Sequence, residues 1–194
     1  MGKKLWVLVA LLVACGIVGL AFMLTRNQPP ASPEEKATGF ELTDQDGRTI
    51  SLDSLEGKVK VLSFFYIGCV HPNMCPLGTR KLVDLQQMVG AGNDNVVFLR
   101  VTFDPENDDA EALKKYGELY GVDFSNWHFL RGDVDNVSNL CREYKITLER
   151  QDDGTIKHSM LLYLVDQSNY IDKVYTGSFW EPQGISEDIT ALLE

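Results

Sequence analysis

The strongest constraint on this chain is the run from Leu5 to Leu24, LWVLVALLVACGIVGLAFML, which contains no charged residue. About 20 apolar residues at about 1.5 Å rise each match a hydrocarbon core of about 30 Å. The run has no polar face, so it cannot lie half-wet on a soluble core, and it divides the chain into an anchor and an exported part. Lys3 and Lys4 precede it and Arg26 follows it. The excess of positive charge before the run places the N-terminus in the cytoplasm and everything after Arg26 on the extracytoplasmic side of the cell membrane. Within the run, Leu12-Val13-Ala14-Cys15 resembles a bacterial lipobox, which would make Cys15 a lipidated N-terminus. Apolar residues continue to Leu24, which favours an uncleaved single-pass transmembrane helix over a processed lipoprotein. Both tether the same domain to the same face.

Three parts follow: an anchor over 1–26, a proline-containing extended linker over 27–38, and one domain over 39–194. The whole chain holds 18 basic and 28 acidic residues, a net charge of −10. Residues 1–26 contribute three basic residues and no acid, so the exported part has 15 against 28, a net −13. Such a surface has no excess of Lys and Arg to release counterions from phosphates, so nucleic acid is not expected as a partner. A protein partner with a basic face is favoured instead.

In the exported part, strand-like and helix-like stretches alternate. Phe40 to Leu42 and Thr49 to Leu52 read as a hairpin about the turn Asp44-Gln45-Asp46-Gly47. Lys58 to Tyr66, KVKVLSFFY, suits a strand buried on both faces. A helix follows Pro76 with Leu82, Leu85 and Val89 inward, then a strand over 96–101. A second helix starts near Asp108, whose spacing to Glu111 is that of a capping box, and carries Ala110, Leu113 and Tyr116. After a short strand over 127–130, a third helix spans 133–144 with Val134, Val137, Leu140, Cys141 and Tyr144 inward. Strands over 160–165 and 171–175 and a helix over 185–193 close the pattern. This order predicts an α/β domain with a thioredoxin-like central sheet flanked by helices.

The chemistry lies where the buried strand ends, in Cys69-Val70-His71-Pro72-Asn73-Met74-Cys75-Pro76. Pro76 suits a first helical position, making Cys75 the N-cap, where unpaired N–H groups and the helix dipole favour a thiolate. Two thiols six positions apart can close a disulfide or grip a soft metal: copper(I), zinc or an iron–sulfur centre. An imidazole as third ligand suits copper or zinc. His158 stands just before the strand over 160–165, and comes near the cysteine loop if that strand runs antiparallel to the first. Cys141, on an apolar helix face, reads as a packed core thiol. His128, between Trp127 and Phe129, reads as pointing to solvent, and Glu106 to Glu111 as a helix start on a solvated face.

These residues resemble the Sco/SenC (PrrC) family. The resemblance is carried by Phe64-Phe65-Tyr66 before two cysteines and a proline, and by Asp104-Pro105-Glu106-Asn107-Asp108 before Leu113 and Tyr116. Trp127 to Gly132 and His158-Ser159 before Leu162 to Asp166 extend it, as does Gly47 to Lys58, so that it covers about residues 40–180. It implies a thioredoxin-like fold and a role in copper delivery to the dinuclear copper centre of cytochrome c oxidase, whose copper-bearing subunit is then the partner. It also implies thiol–disulfide reduction for some members. By resemblance Cys75 and His158 map onto copper ligands, Cys69 is the nearest match to the first cysteine, and Asp104 is either an acid behind the site or a turn residue before Pro105.

One departure stands out. The family spaces its cysteines C-x3-C-P, whereas Cys69 and Cys75 are C-x5-C, and His71 holds the position counted back from Cys75. The longer loop changes the entropy of closing the site. His71 and Met74 are chemically able to bind copper, although a solvated His71 and a packed Met74 are the plainer readings. The functional expectation is a tethered copper-binding metallochaperone in which reduced Cys69 and Cys75, with His158, hold one copper ion. The alternative is a thiol–disulfide oxidoreductase or redox sensor, with Cys69 and Cys75 as the redox pair. Thioredoxin-type enzymes set a proline against the dithiol before a late strand. This chain has no proline between Glu106 and Glu181, which favours the metal site.

Overall fold

A computed structural model describes residues 35–194. The apolar run, Cys15 and most of the expected linker lie outside the described residues. Among the described residues, no helix is long and apolar enough to cross a membrane.

In chain order the elements are β1 (Glu41–Asp44), β2 (Thr49–Ser51), β3 (Val59–Phe65), α1 (Cys75–Val89), β4 (Val96–Thr102) and α2 (Ala110–Tyr120). There follow β5 (Trp127–Arg131), α3 (Val134–Glu143), β6 (Leu148–Arg150), β7 (Ile156–His158), β8 (Leu161–Val165), β9 (Ile171–Thr176) and α4 (Pro182–Leu193). Seven strands form one sheet in the order β2-β1-β5-β4-β3-β8-β9, and β6 and β7 form a separate hairpin. β3 pairs in parallel with β4 and antiparallel with β8. Every residue of β3 and β4 is buried, Lys60, Ser63, Arg100 and Thr102 included, as suits strands covered on both faces.

Helices cover both faces. Phe65 packs on Tyr116 of α2, whereas its neighbour Phe64 packs on Tyr144 at the end of α3, because successive strand residues point to opposite sides. The close approach of α2 to the sheet requires Gly117, where a Cβ would fall 2.6 Å from Phe124 and 2.7 Å from Phe129.

Several local readings shift. The N-cap of α2 is Asp109, whose carboxylate accepts from the Ala112 N–H at 2.8 Å, and Asp108 is buried. Val134, at the first turn of α3, is exposed, while Val137, Leu140, Cys141 and Tyr144 are buried. The β6–β7 hairpin was not expected, since β6 is exposed throughout and β7 is three residues long. Glu35 to Thr38, read as the end of the linker, lies against the fold: Lys36 bridges Tyr170, and Ala37 is buried with its N–H on the Asn169 carbonyl at 2.8 Å.

Candidate metal centre

Cys75 is the first residue of α1 and Met74 its N-cap, one position earlier than Pro76 suggested. Because β8 is antiparallel to β3, its N-terminal end lies at the end of β3 from which the cysteine loop leaves. His158 therefore arrives beside that loop from β7. Sγ of Cys69, Sγ of Cys75 and a ring nitrogen of His158 all lie within 4.8 Å of one another, and all three residues are buried. His158 Nε2 is 3.4 Å from Cys75 Sγ and 3.8 Å from Cys69 Sγ.

These separations suit a single ion. With metal–sulfur bonds of about 2.3 Å and a metal–nitrogen bond of about 2.0 Å at trigonal angles, neighbouring donor atoms lie about 3.7 to 4.0 Å apart. Two thiols and an imidazole are also the donor set that selects copper or zinc over magnesium or calcium.

The second nitrogen of His158 is fixed by the backbone. Nδ1 lies 3.1 Å from the Ser159 carbonyl, which only accepts, so Nδ1 carries the proton and the neutral ring turns the Nε2 lone pair to the sulfurs. The Ser159 N–H donates to the Thr147 carbonyl, tying this stretch to the β6–β7 hairpin. The rings of Phe103 and Tyr66 stand 4.9 Å and 5.8 Å from the imidazole and wall it from water. Tyr66 Oη in turn accepts from the Ile156 N–H at 3.1 Å, holding β7 against the end of β3.

The two thiols are not equivalent, and the helix-dipole expectation is reversed. Cys69 is the thiolate, held down to about 4 chiefly because the Cys75 thiol donates to it. Burial opposes this, and the backbone N–H groups of Cys75 and His71 add to it. Cys75 is pushed well above the ordinary thiol range, first by its role as donor to Cys69 and then by burial, although the Arg100 charge pulls the other way. The pair thus shares one proton, and the hydrogen bond from Cys75 to Cys69, with the burial of Cys75, outweighs the dipole.

Residues behind the trio were less legible. The Asp108 carboxylate accepts from the Ile67 N–H at 3.1 Å and from the Thr102 hydroxyl, so it fixes the segment leading to Cys69. Burial raises its pKa. Thr102 also accepts from the Asp104 N–H. Asp104 is buried and takes Arg150 Nη2 at 3.0 Å and Asn107 Nδ2 at 2.9 Å. It tethers β6 to the end of β4 and contributes no ligand atom to the trio. A capping-box spacing drew attention to Asp108 for the wrong reason; its burial among five other residues of an acidic stretch left no periodic signal.

The remaining candidates separate cleanly. His71 is exposed and outside the trio, and Met74 is partly buried against the core. Cys141 is a packed thiol, raised to about 12 by burial. His128 does not point to solvent as expected. Its Nδ1 lies 3.0 Å from the buried Asp44 carboxylate, and its side chain is only 13% exposed.

Comparison with known proteins agrees with this geometry. The SCO1 protein homolog of Bacillus subtilis (strain 168) is 31% identical over 141 residues, covering 71% of this chain and 72% of its own. The crystal structure of a SCO1/SenC family lipoprotein from Bacillus anthracis str. Ames superposes with a TM-score of 0.75 at 28% identity, covering 82% of this chain and 96% of that one. Yeast Sco1 with copper bound shares the fold at 22% identity and a TM-score of 0.68, covering 82% and 88%. These neighbours carry the thioredoxin-like α/β fold. A family model described as SCO1/SenC matches residues 28–194, and the chain belongs to that family.

Proposed function

We propose that this protein is a membrane-tethered, extracytoplasmic copper-binding metallochaperone that serves the dinuclear copper centre of cytochrome c oxidase. The observation that carries the reading is the convergence of Cys69, Cys75 and His158 within 4.8 Å in a buried pocket of donor atoms. Family membership and the copper found in yeast Sco1 support copper over zinc as the ion. The two sulfurs and the imidazole would hold copper(I) in three-coordination, and the exposed loop bearing Val70 and His71 gives a recipient access to the sulfurs. The apolar run Leu5 to Leu24 supplies the tether, and the net −13 of the exported part favours a recipient with a basic face.

A second reading is favoured by one observation: the two Sγ atoms lie within 4.8 Å of each other. As a reductant of the recipient's copper-site cysteines, the Cys69 thiolate would attack one sulfur of the recipient disulfide and expel the other as thiolate. Cys75, losing its proton, would then attack Cys69 of the mixed disulfide, leaving a Cys69–Cys75 disulfide and a dithiol on the recipient. The ordinary test separates the two. The reduced full chain should bind one copper per molecule, and Cys69–Cys75 oxidation should abolish binding. Catalytic reduction of a recipient disulfide with no copper uptake would establish the reductase instead.

A further inference from the structure

Arg100 lies mid-strand in β4, 3% exposed, and among the described residues no carboxylate pairs with it. A buried guanidinium without a hydrogen-bonded carboxylate is costly. Its recorded partners are few: Nη1 donates to the Thr79 hydroxyl, and the Phe65 ring lies 4.3 Å from its central carbon. Its Nε–H is buried and has no acceptor. Ser63 is its register partner on the neighbouring strand β3, so the two side chains leave the same face about 4.8 Å apart. The Ser63 hydroxyl is likewise buried and unpartnered.

Both residues line one partly open cavity of about 20 Å³, with Leu82, Met160, Leu162 and Trp180 among its walls. That volume holds one water-sized or monatomic occupant. Arg100 and Ser63 bring a positive charge and two unpartnered donors to its lining, and the side chains of those four residues add no acceptor except the weak Met160 sulfur. A water could accept both bonds, but it would leave the guanidinium charge unmatched. A spherical anion accepts from every side and strands nothing.

We propose that this cavity is a binding site for a monatomic anion of the halide class, held between the Arg100 guanidinium and the Ser63 hydroxyl. The cavity is lined by none of the three donor residues, although the Arg100 charge also acts on Cys75, and the proposal does not depend on the copper reading.

The test uses the metal-free, reduced full chain in detergent, unfolded thermally in sodium bromide, sodium chloride and sodium gluconate at one ionic strength. With halide about 100-fold above its Kd, Tm should exceed the gluconate value by roughly 5 °C. Ser63→Ala should reduce that increment and Arg100→Met remove it. Equal Tm values in all three salts, or an increment unchanged in Ser63→Ala, would overturn the proposal. Should Arg100→Met fail to fold, crystals of the unaltered protein in bromide decide the matter. An anomalous peak between Arg100 Nε and Ser63 Oγ supports the site, and a water there refutes it.

Discussion

His158 and His128 are both largely buried, and each has one ring nitrogen tied down, but their partners give them opposite duties. A neutral carbonyl holds Nδ1 of His158, so its other nitrogen faces two sulfurs as a lone pair. A carboxylate holds Nδ1 of His128, and that carboxylate, Asp44, also takes Arg48 Nε at 2.7 Å and the backbone N–H groups of Asp46 and Arg48 at 2.9 Å. The first ring completes a trio of donor atoms able to hold a metal, and the second clasps the β1–β2 turn to β5. The atom bonded to the far nitrogen decides what a buried histidine does.

The largest effect should separate the two rings directly. His158→Ala should lose copper by more than the roughly 10–100-fold typical of removing a partner behind a ligand, while His128→Ala retains one copper per chain; competition with a copper(I) chelator measures both. Equal retention by His158→Ala would remove it from the site.

Next in size is the asymmetry of the thiols. Cys75→Ala deletes the main donor to Cys69, so the Cys69 thiolate, held at about 4, should titrate several units higher, towards the ordinary value of about 8.5. Thiolate ultraviolet absorbance against pH reads the shift, and an unmoved midpoint would show that the sulfur–sulfur hydrogen bond is not the cause.

The clasp should act on stability alone. Asp44→Ala leaves several buried donors unpaired, costing roughly 3 kcal/mol, which corresponds to a Tm fall of roughly 6–12 °C for a chain of this length. Copper stoichiometry should not change.

The smallest effect is a pH slope. Burial lowers the His128 pKa despite Asp44, so below about 6.5 the unfolded chain binds the proton first and stability falls on acidification. Asp44 is lowered too, by the backbone N–H groups of Arg48 and Asp46 and by His128 and Arg48 against its burial. Its share is present above about 3.8 and is lost as pH falls through its folded value. Urea midpoints between pH 7 and 5 should decline in the parent and flatten in His128→Gln.

Much of this was readable in the chain. The order of strands and helices follows from largely apolar runs and periodic faces, and the trio from two thiols at a strand end with a histidine before an antiparallel strand. What escaped reading depends on tertiary contact. Asp108 sits in an acidic stretch whose other members are mostly wet, and only the fold turns its carboxylate to Ile67. Arg100 interrupts VVFLRVT without betraying whether it is buried. The thiolate was assigned to Cys75 because dipole and capping are local features, whereas the sulfur–sulfur hydrogen bond and the burial of Cys75 are not. The β6–β7 hairpin lacks the apolar alternation that marks a strand, being held by Tyr66, Asp104 and Thr147 rather than by its own core.

The short stretch at the start of the described chain has a mechanical meaning. Glu35 to Ala37 joins the sheet at the β8–β9 turn, through the Lys36–Tyr170 bridge and the hydrogen bonds Ala37 N–H to Asn169 and Ile171 N–H to Glu35. That turn lies at the start of β3, and the sulfurs lie past its end, seven residues or about 23 Å away. Tension arriving along the N-terminal segment is therefore borne first by an edge bridge at the opposite pole, and peeling that bridge leaves the load path clear of the cysteine loop.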